Sequence, residues 1–471
     1  MKKYLLLILA IAQINDLFGQ GIHYQKTFAE TLDLASKKHQ PIFIFLTAKS
    51  LHIPDSVHVL LNGFESKKAE SYYNANFINY TVDLLDTAGL KIRNKFSADI
   101  FPAYIFLDSR GQIVYKAGGI YKSADKYIGF AKTALQRIRS GNTITHFEQL
   151  DKEGKLTTAV QIKEFINLRR EINLPDDQVL LDRYVANLAV KDLDDYNTIL
   201  YILQAGPIAY GKTYNLIFAN RKLIDSIFKK EPLATRTAIN TRIITNTRNL
   251  AIKNKDAVMA QSSANYARAT WNTDYKKAYK TYSAEMLIYY RAVKDTLNFF
   301  NMAGNYYDQY YLNISADSAR KLSVYSPERI NLSQKTLAPE KDNSAVISKP
   351  NGVVTTKHTN VVVTTHVIKA SPYLTVATAL NNVAWDFYVL GTHNRTHLLK
   401  ALMWSKRAIE LDPHYAFYDT MAHIMYRLNF LDEAFFNQQR AIDIAMAAPE
   451  TPQTEVAHLK DELKKMKDLM L

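Results

Sequence analysis

IFPAYIFLDSRGQIVYKAGG, residues 100–119, contains two β-rich runs separated by a short polar segment. The runs AYIFL and QIVYKAG are rich in β-branched and aromatic residues, which favour strands. DSRG, residues 108–111, has the Asp and Gly typical of a tight turn. The stretch therefore predicts a β-hairpin. Pro102 stands just before its first strand, an unusual place for a proline.

Helix and strand patterns alternate in the sequence before this hairpin. PIFIFLTA (residues 41–48) and INYTVDLLD (residues 78–86) are short apolar runs typical of buried strands. Between residues 24 and 139 the predicted order is α-β-α-β-α-β-β-α, which favours a central sheet with helices on both faces. The predicted helices cover residues 27–40, 56–74, 88–96 and 123–139.

Most of the remaining chain has helical periodicity. We expect a helical domain at residues 141–336, including one long helix at residues 275–300 whose tyrosine-rich face suits a core seam. Pro, Gly, Thr and Val interrupt the periodicity at residues 337–370, which we interpret as a flexible linker or β-arm. Helical patterning resumes at residues 371–471.

The first 20 residues have the features of a secretory signal peptide. Lys2 and Lys3 precede the apolar run YLLLILAIA, which is too short to span a bilayer. A buried N-terminal helix or strand is the alternative. The prediction is an exported protein of the periplasm or cell surface, with a mature chain from residue 21 and no membrane span.

The composition excludes several kinds of chemistry. The chain has 471 residues and no cysteine, so it has no thiolate nucleophile, disulfide, iron–sulfur cluster or cysteine-based zinc site. Its net charge of +14 is spread along the chain without a long basic block, which favours a generally basic surface over a nucleic-acid site. We expect no cofactor and no metal.

Residues 24–139 resemble the thioredoxin superfamily, in particular the secreted thioredoxin-like proteins of Bacteroidetes-type bacteria. PIFIFLTA and FINYTVDLLD are similar to two parallel strands of that family, and residues 100–119 to its proline loop and hairpin. The resemblance implies an α/β thioredoxin-like domain at residues 21–140, with Pro102 at the position that is cis in the family.

The sequence differs from the family at the positions that its redox activity needs. Ser50 and Ile53 fall where the family has its Cys-x-x-Cys pair, and Ile44 falls at the position of its buried acid. Thiol–disulfide exchange needs a thiolate, so that activity is excluded, and we predict no catalytic residue. The resemblance leaves a peptide groove beside the proline loop, whose candidate residues are Ser50, His52, Phe101, Pro102 and Ala103.

Residues 371–471 resemble tetratricopeptide repeats, so the fold predicted after the α/β domain is an all-α helical-repeat region with a capping helix. The two copies are about one repeat length apart, and small residues recur where paired helices come close. A generic array of helical hairpins is the alternative. The residues that carry the resemblance are Trp385, Ala401, Ala408, Pro413, Ala434 and Ala441.

Two short motifs resemble ligand sites without the surrounding pattern that such sites need. GPIAYGKT, residues 206–213, matches a phosphate-binding loop, but no clear strand precedes it. HNRTH, residues 393–397, has histidine spacing that could bind zinc but no evident third ligand. We interpret the first as a chance match and the second as solvated loop histidines.

Three functions remain open from the sequence. The favoured one is a non-redox module that binds an envelope protein or peptide. The others are a chaperone-like or other thiol-independent activity of the thioredoxin family, and glycan binding by the tyrosine-rich region. An enzyme is not favoured.

Overall fold

A computed structural model describes residues 21–47, 63–84, 86–98, 100–172, 174–271, 273–325, 347–348, 354–355, 373–449 and 451–471. The chain divides into two compact units. The described residues up to Leu188 belong to unit 1, together with the strands β7 (Ile347–Ser348) and β8 (Val354–Thr355). Unit 2 contains the described residues from Ala189 to Tyr325 and from Tyr373 onward.

The core of unit 1 is a mixed five-stranded sheet with the order β1-β3-β2-β4-β5. β1, β3 and β2 are parallel, whereas β4 is antiparallel to both β2 and β5. The hairpin predicted from residues 100–119 is therefore confirmed, and the order is consistent with a thioredoxin-like arrangement. The strands are β1 (Tyr24–Gln25), β2 (Ile42–Thr47), β3 (Ile78–Asp83), β4 (Ala103–Leu107) and β5 (Ile113–Gly118).

Helices cover both faces of this sheet, because successive side chains of a strand point to opposite faces. Ile42, Ile44 and Leu46 of β2 face one core, which α1 and α3 complete. Phe43 faces a second, aromatic core completed by α2 and α4. The helices are α1 (Phe28–Lys38), α2 (Lys67–Asn76), α3 (Thr87–Phe96) and α4 (Ala124–Ser140).

Three further helices follow α4 within unit 1. The rings of Phe147 and Phe165 stack with centroids 5.5 Å apart, which joins α5 to α6. Arg137 of α4 lies 4.9 Å from the ring centroid of Tyr115 and 2.5 Å from Glu171, so a charged contact ties α6 to the sheet domain. The helices are α5 (Ile144–Lys152), α6 (Ala159–Glu171) and α7 (Gln178–Ala186).

The first half of unit 2 is helical, as predicted. It begins with a 3-10 turn at Val190–Asp194. A buried ion pair links α11 to α13, where Nη1 of Arg248 lies 2.9 Å from Glu285. The helices are α8 (Tyr196–Ala205), α9 (Lys212–Phe218), α10 (Arg221–Lys230), α11 (Leu233–Asn254), α12 (Ala257–Ala269), α13 (Tyr275–Val293), α14 (Thr296–Tyr307) and α15 (Ala316–Lys321), with a π turn at Asp308–Leu312.

The second half of unit 2 contains five helices in hairpin arrangement. Phe387, Trp404 and Ile424 from successive helices lie in one hydrophobic core. Ala441 and Leu459 lie in a second core, which the last helix completes. The helices are α16 (Val376–Val389), α17 (Arg395–Leu411), α18 (Tyr415–Arg427), α19 (Leu431–Ala447) and α20 (Gln453–Lys467).

Four local predictions are wrong. The long helix expected at residues 275–300 ends at Lys294, which has a left-handed φ of 61°, and Asp295 then caps α14. The described part of the helix expected at residues 56–74 begins only at Lys67, because Ser66 is its N-cap. Two segments expected to be helical are instead the antiparallel strands β6 (Ser323–Tyr325) and β9 (Tyr373–Thr375). Their Val, Tyr and Thr residues favour strands once a partner is present.

The predicted signal peptide and most of the predicted linker lie outside the described residues, as does the proposed β-arm at residues 361–367. Within the described part of the chain, no helix combines the length and the apolar character that a membrane crossing requires.

Candidate functional site

The candidate site lies where the loop before β4 meets the end of β2. The Phe101–Pro102 peptide bond is cis, as predicted. Directly after it, Ala103 pairs with Leu46 of β2 on one side and with Gly118 of β5 on the other. Phe101 and Pro102 therefore lie at the sheet edge where the parallel strands β2 and β3 end.

Close backbone packing holds the Pro102 loop in place. The backbone N–H of Gly119 donates a hydrogen bond of 3.0 Å to the carbonyl oxygen of Pro102. A Cβ atom on Gly118 would lie 2.6 Å from a side-chain carbon of Ile100, far inside van der Waals contact. Glycine at position 118 thus lets β5 approach the loop.

The ends of β2 and β3 contribute a polar pair that the sequence analysis did not single out. The hydroxyl of Thr47 donates to the carboxylate of Asp83 over 3.0 Å, and its own backbone carbonyl accepts from Leu84 N–H over 2.9 Å. Thr47 and Asp83 are the last residues of β2 and β3, and only the register that places them side by side reveals the pair.

One cation lies beside the Pro102 loop. The guanidinium carbon of Arg93 lies 5.8 Å from the ring centroid of Phe101. On β5, the half-buried Lys116 donates its ammonium to the carbonyl oxygens of Phe96, at 2.9 Å, and Ser97, at 2.6 Å, which ties this strand to the end of α3. Arg93 was not a sequence candidate, because a single cation on a helix carries no local signal of a site.

The sheet beneath the site has an aliphatic side chain at the position compared with the family's buried acid. Ile44 is fully buried in the sheet core. The buried hydroxyl of Tyr104, on β4, stays protonated, because desolvation raises its pKa well above the ordinary value. The chain has no cysteine, so the described part of the site cannot exchange disulfides.

The other groove candidates can be placed only in part. Phe101 is half-buried, and Pro102 and Ala103 are buried. Ser50, His52 and Ile53 lie outside the described residues, so only the Pro102 side of the predicted groove is described.

The repeat residues occupy two environments. Trp385 is half-buried, and its ring lies 5.0 Å from that of Tyr388 and 5.3 Å from that of His423. Pro413 is exposed in the turn after α17. The small residues allow helices to pack closely and are fully buried: Ala401, Ala408, Ala434 and Ala441.

The two ligand-like motifs have structural roles. The helix α8 precedes Gly206, so GPIAYGKT lacks the strand that a phosphate loop needs. His397 lies in α17, half-buried with its ring 5.0 Å from that of Phe300, which corrects its prediction as a solvated loop residue. Burial, followed by the charge of Lys400, lowers the pKa of His397. Among the described residues, no group of histidines and carboxylates could hold a metal ion.

Comparisons with known proteins give little further support. No family model matches the chain, and no curated protein matches it. One solved structure, described as "DsbH Oxidoreductase", is 18% identical and covers 26% of this chain and 88% of its own, with a TM-score of 0.22. The description of the fold therefore rests on the sheet order and register of unit 1.

Proposed function

We propose that unit 1 is a thioredoxin-like domain that has no thiol chemistry and binds an extended segment of an envelope protein or peptide beside Pro102. The protein is exported to the periplasm or cell surface in this proposal. The observation that carries it is the position of the Phe101–Pro102 loop at the sheet edge where β2 and β3 end. Ligands of sheets with parallel strands commonly bind outside those strand ends.

The chemistry of the loop favours binding through the backbone. An extended segment can pair with the backbone of a loop by main-chain hydrogen bonds, with side chains providing selectivity. Phe101 offers a half-buried apolar contact, and neither this contact nor backbone pairing requires a cysteine.

Positive charge favours an acidic partner segment. The guanidinium of Arg93 lies beside Phe101, and the whole chain carries a net charge of +14. A net positive charge raises the local concentration of negatively charged partners. The partner we favour is therefore an extended, acidic stretch of polypeptide.

We assign residues 371–471 to tetratricopeptide-like repeats with α20 as a capping helix. The buried alanines of α17 and α19 support this assignment, because small residues recur at the close helix contacts of such repeats. Stacked helix pairs form concave surfaces suited to protein partners.

The test uses reduced, carboxymethylated α-lactalbumin, an acidic polypeptide that stays unfolded, as a fluorescent probe for the full chain. We expect the wild-type protein to bind it, and Phe101→Ala to weaken binding by about tenfold, which corresponds to about 1.4 kcal/mol. Arg110→Ala is the matched control, because Arg110 is exposed in the β4–β5 turn, at the opposite end of β4. No binding by the wild-type protein, or equal binding by Phe101→Ala and Arg110→Ala, contradicts the proposal.

A further inference from the structure

Three aromatic rings lie exposed around the start of α13. The exposed fractions of Trp271, Tyr275 and Tyr279 are 41%, 73% and 58%. Trp271 lies in the turn that follows α12, and the two tyrosines are one helical turn apart. Folded proteins seldom cluster large exposed rings unless the surface binds something.

The tyrosine-rich face of α13 is exposed to solvent near the start of the helix and buried near its end. Met286 and Tyr289, near its C-terminal end, are 1% and 3% exposed and belong to a hydrophobic core. Core packing thus explains the C-terminal half of this face. The sequence analysis predicted core packing for the whole face. Tyr275 and Tyr279 are exposed to solvent, so core packing does not explain why large aromatic residues occupy these positions.

Basic side chains lie beside the exposed tyrosines. On α13, Lys276 is three residues from Tyr279 and four from Lys280, and Tyr275 is four from Tyr279, so these four residues share one face of the helix. Lys280 also lies 4.3 Å from the ring centroid of Tyr311, in the π turn, and 5.4 Å from that of Tyr310. The ammonium of Lys277 instead lies 5.3 Å from the ring centroid of Trp271.

Little negative charge offsets these cations. Residues 268–282 contain four basic residues and one acidic residue, Asp274. Its carboxylate lies 3.0 Å from the Lys277 ammonium and also caps α13 by accepting the Lys277 backbone N–H. The surface is therefore net positive and suits an anionic ligand.

We propose that this surface, formed by Tyr275, Lys276, Tyr279 and Lys280, binds an acidic polysaccharide built from uronic acids. The C–H faces of sugar rings can pack on flat aromatic rings, and the uronate carboxylates can pair with the lysines. Rings four residues apart on a helix are about 6 Å apart along its axis, so they can contact neighbouring parts of one extended chain.

The composition of the surface favours a sugar chain over a protein. Residues 268–282 contain no Leu, Ile, Val, Met or Phe, so all their large apolar groups are amphipathic Trp or Tyr rings. The core of a protein interface is usually depleted of charged residues, whereas these rings lie among lysines. A sugar chain with one carboxylate per ring matches such an alternation of rings and charges.

Affinity electrophoresis and calorimetry of the full chain with polygalacturonate test the proposal, with dextran as the neutral probe. We expect binding to polygalacturonate that weakens as salt rises and no binding to dextran. The double variant Tyr275→Ala/Tyr279→Ala and the double variant Lys276→Gln/Lys280→Gln should each lose about tenfold or more in affinity. The matched controls Phe436→Ala and Lys406→Gln, both exposed in other helices of unit 2, should bind as the wild type does.

Three outcomes overturn the proposal. Unchanged binding by the aromatic variant means that charge alone attracts the polymer. Equal binding to dextran means that the carboxylates are not recognised. Stronger binding to oligo-dT or to poly-glutamate than to polygalacturonate assigns the surface to nucleic acid or to acidic protein. The Phe101→Ala variant leaves this surface intact, so the polypeptide site and the polysaccharide site can fail independently.

Discussion

At the scale of single residues, the end of β3 depends on Gly89. A Cβ atom there would lie 1.7 Å from the carbonyl oxygen of Asp83, a distance that no packing adjustment of a side chain can relieve. The absence of a side chain allows α3 to start directly against the strand that carries Asp83, beside the candidate site.

We expect Gly89→Ala to destabilise unit 1 by about 3 kcal/mol, because the new methyl group forces the helix away from the strand. Gly129→Ala is the matched control, since nothing lies within 4 Å of a Cβ atom built at that position inside α4. The control should gain up to about 1 kcal/mol from higher helix propensity. Urea unfolding followed by circular dichroism measures both changes, and equal midpoints for the two variants contradict the expectation.

At the scale of elements, a polar contact attaches α20 to α18. Nε2 of His423 in α18 lies 3.2 Å from Glu462 in α20, and both residues are buried. Lys465 adds an ion pair of 2.8 Å to the same carboxylate. Burial by itself raises the pKa of Glu462, but the hydrogen bonds from Lys465 and His423 outweigh it and lower the pKa below the ordinary 4.5.

The direction of this shift predicts an acid-sensitive attachment of α20. A carboxylate whose pKa is lower in the folded state stabilises the fold above its unfolded pKa, and that stabilisation is lost as pH falls through the folded value. Glu462→Gln should therefore be less stable than wild type at pH 7, and the difference should shrink below about pH 4.5. Thermal unfolding across this pH range measures it, with Glu433→Gln on the exposed face of α19 as control. A constant difference between Glu462→Gln and wild type at every pH contradicts the prediction.

Elements with strong local patterns were predictable from sequence, and elements made by distant pairing were not. The β4–β5 hairpin is encoded by adjacent runs and a turn, and α4 by its Ser123 cap. β6 and β9 were missed because each is three residues long and is a strand only in contact with the other, which lies far away in sequence. β1 was missed for the same reason, since its two residues pair with β3.

At the scale of the whole molecule, the absence of cysteine makes a definite prediction. The full chain should not accelerate the reduction of insulin by dithiothreitol, because no thiolate is available to attack the disulfides. Turbidity of the precipitating insulin chains is the measurement, and a thioredoxin with its cysteine pair is the positive control. Acceleration above the uncatalysed rate by pure protein contradicts the prediction.

The candidate sites were predictable to different degrees for the same physical reason. Pro102 and Ala103 could be named in advance because they stand next to the hairpin that carries them. Arg93 and the Thr47–Asp83 pair could not, because helix packing brings the first to Phe101 and strand register joins the second. Likewise, the tyrosine stripe of α13 was evident, but only the packing of neighbouring helices decides that Met286 is buried and Tyr275 is not.

The sequence by itself determined which covalent chemistry is absent and where most helices and strands form, since composition and short-range periodicity are properties of the chain before it folds. The tertiary structure alone decided which residues lie together beside Pro102 and which aromatic rings are exposed to solvent. Those outcomes depend on contacts between residues far apart in the chain, and no local pattern encodes them.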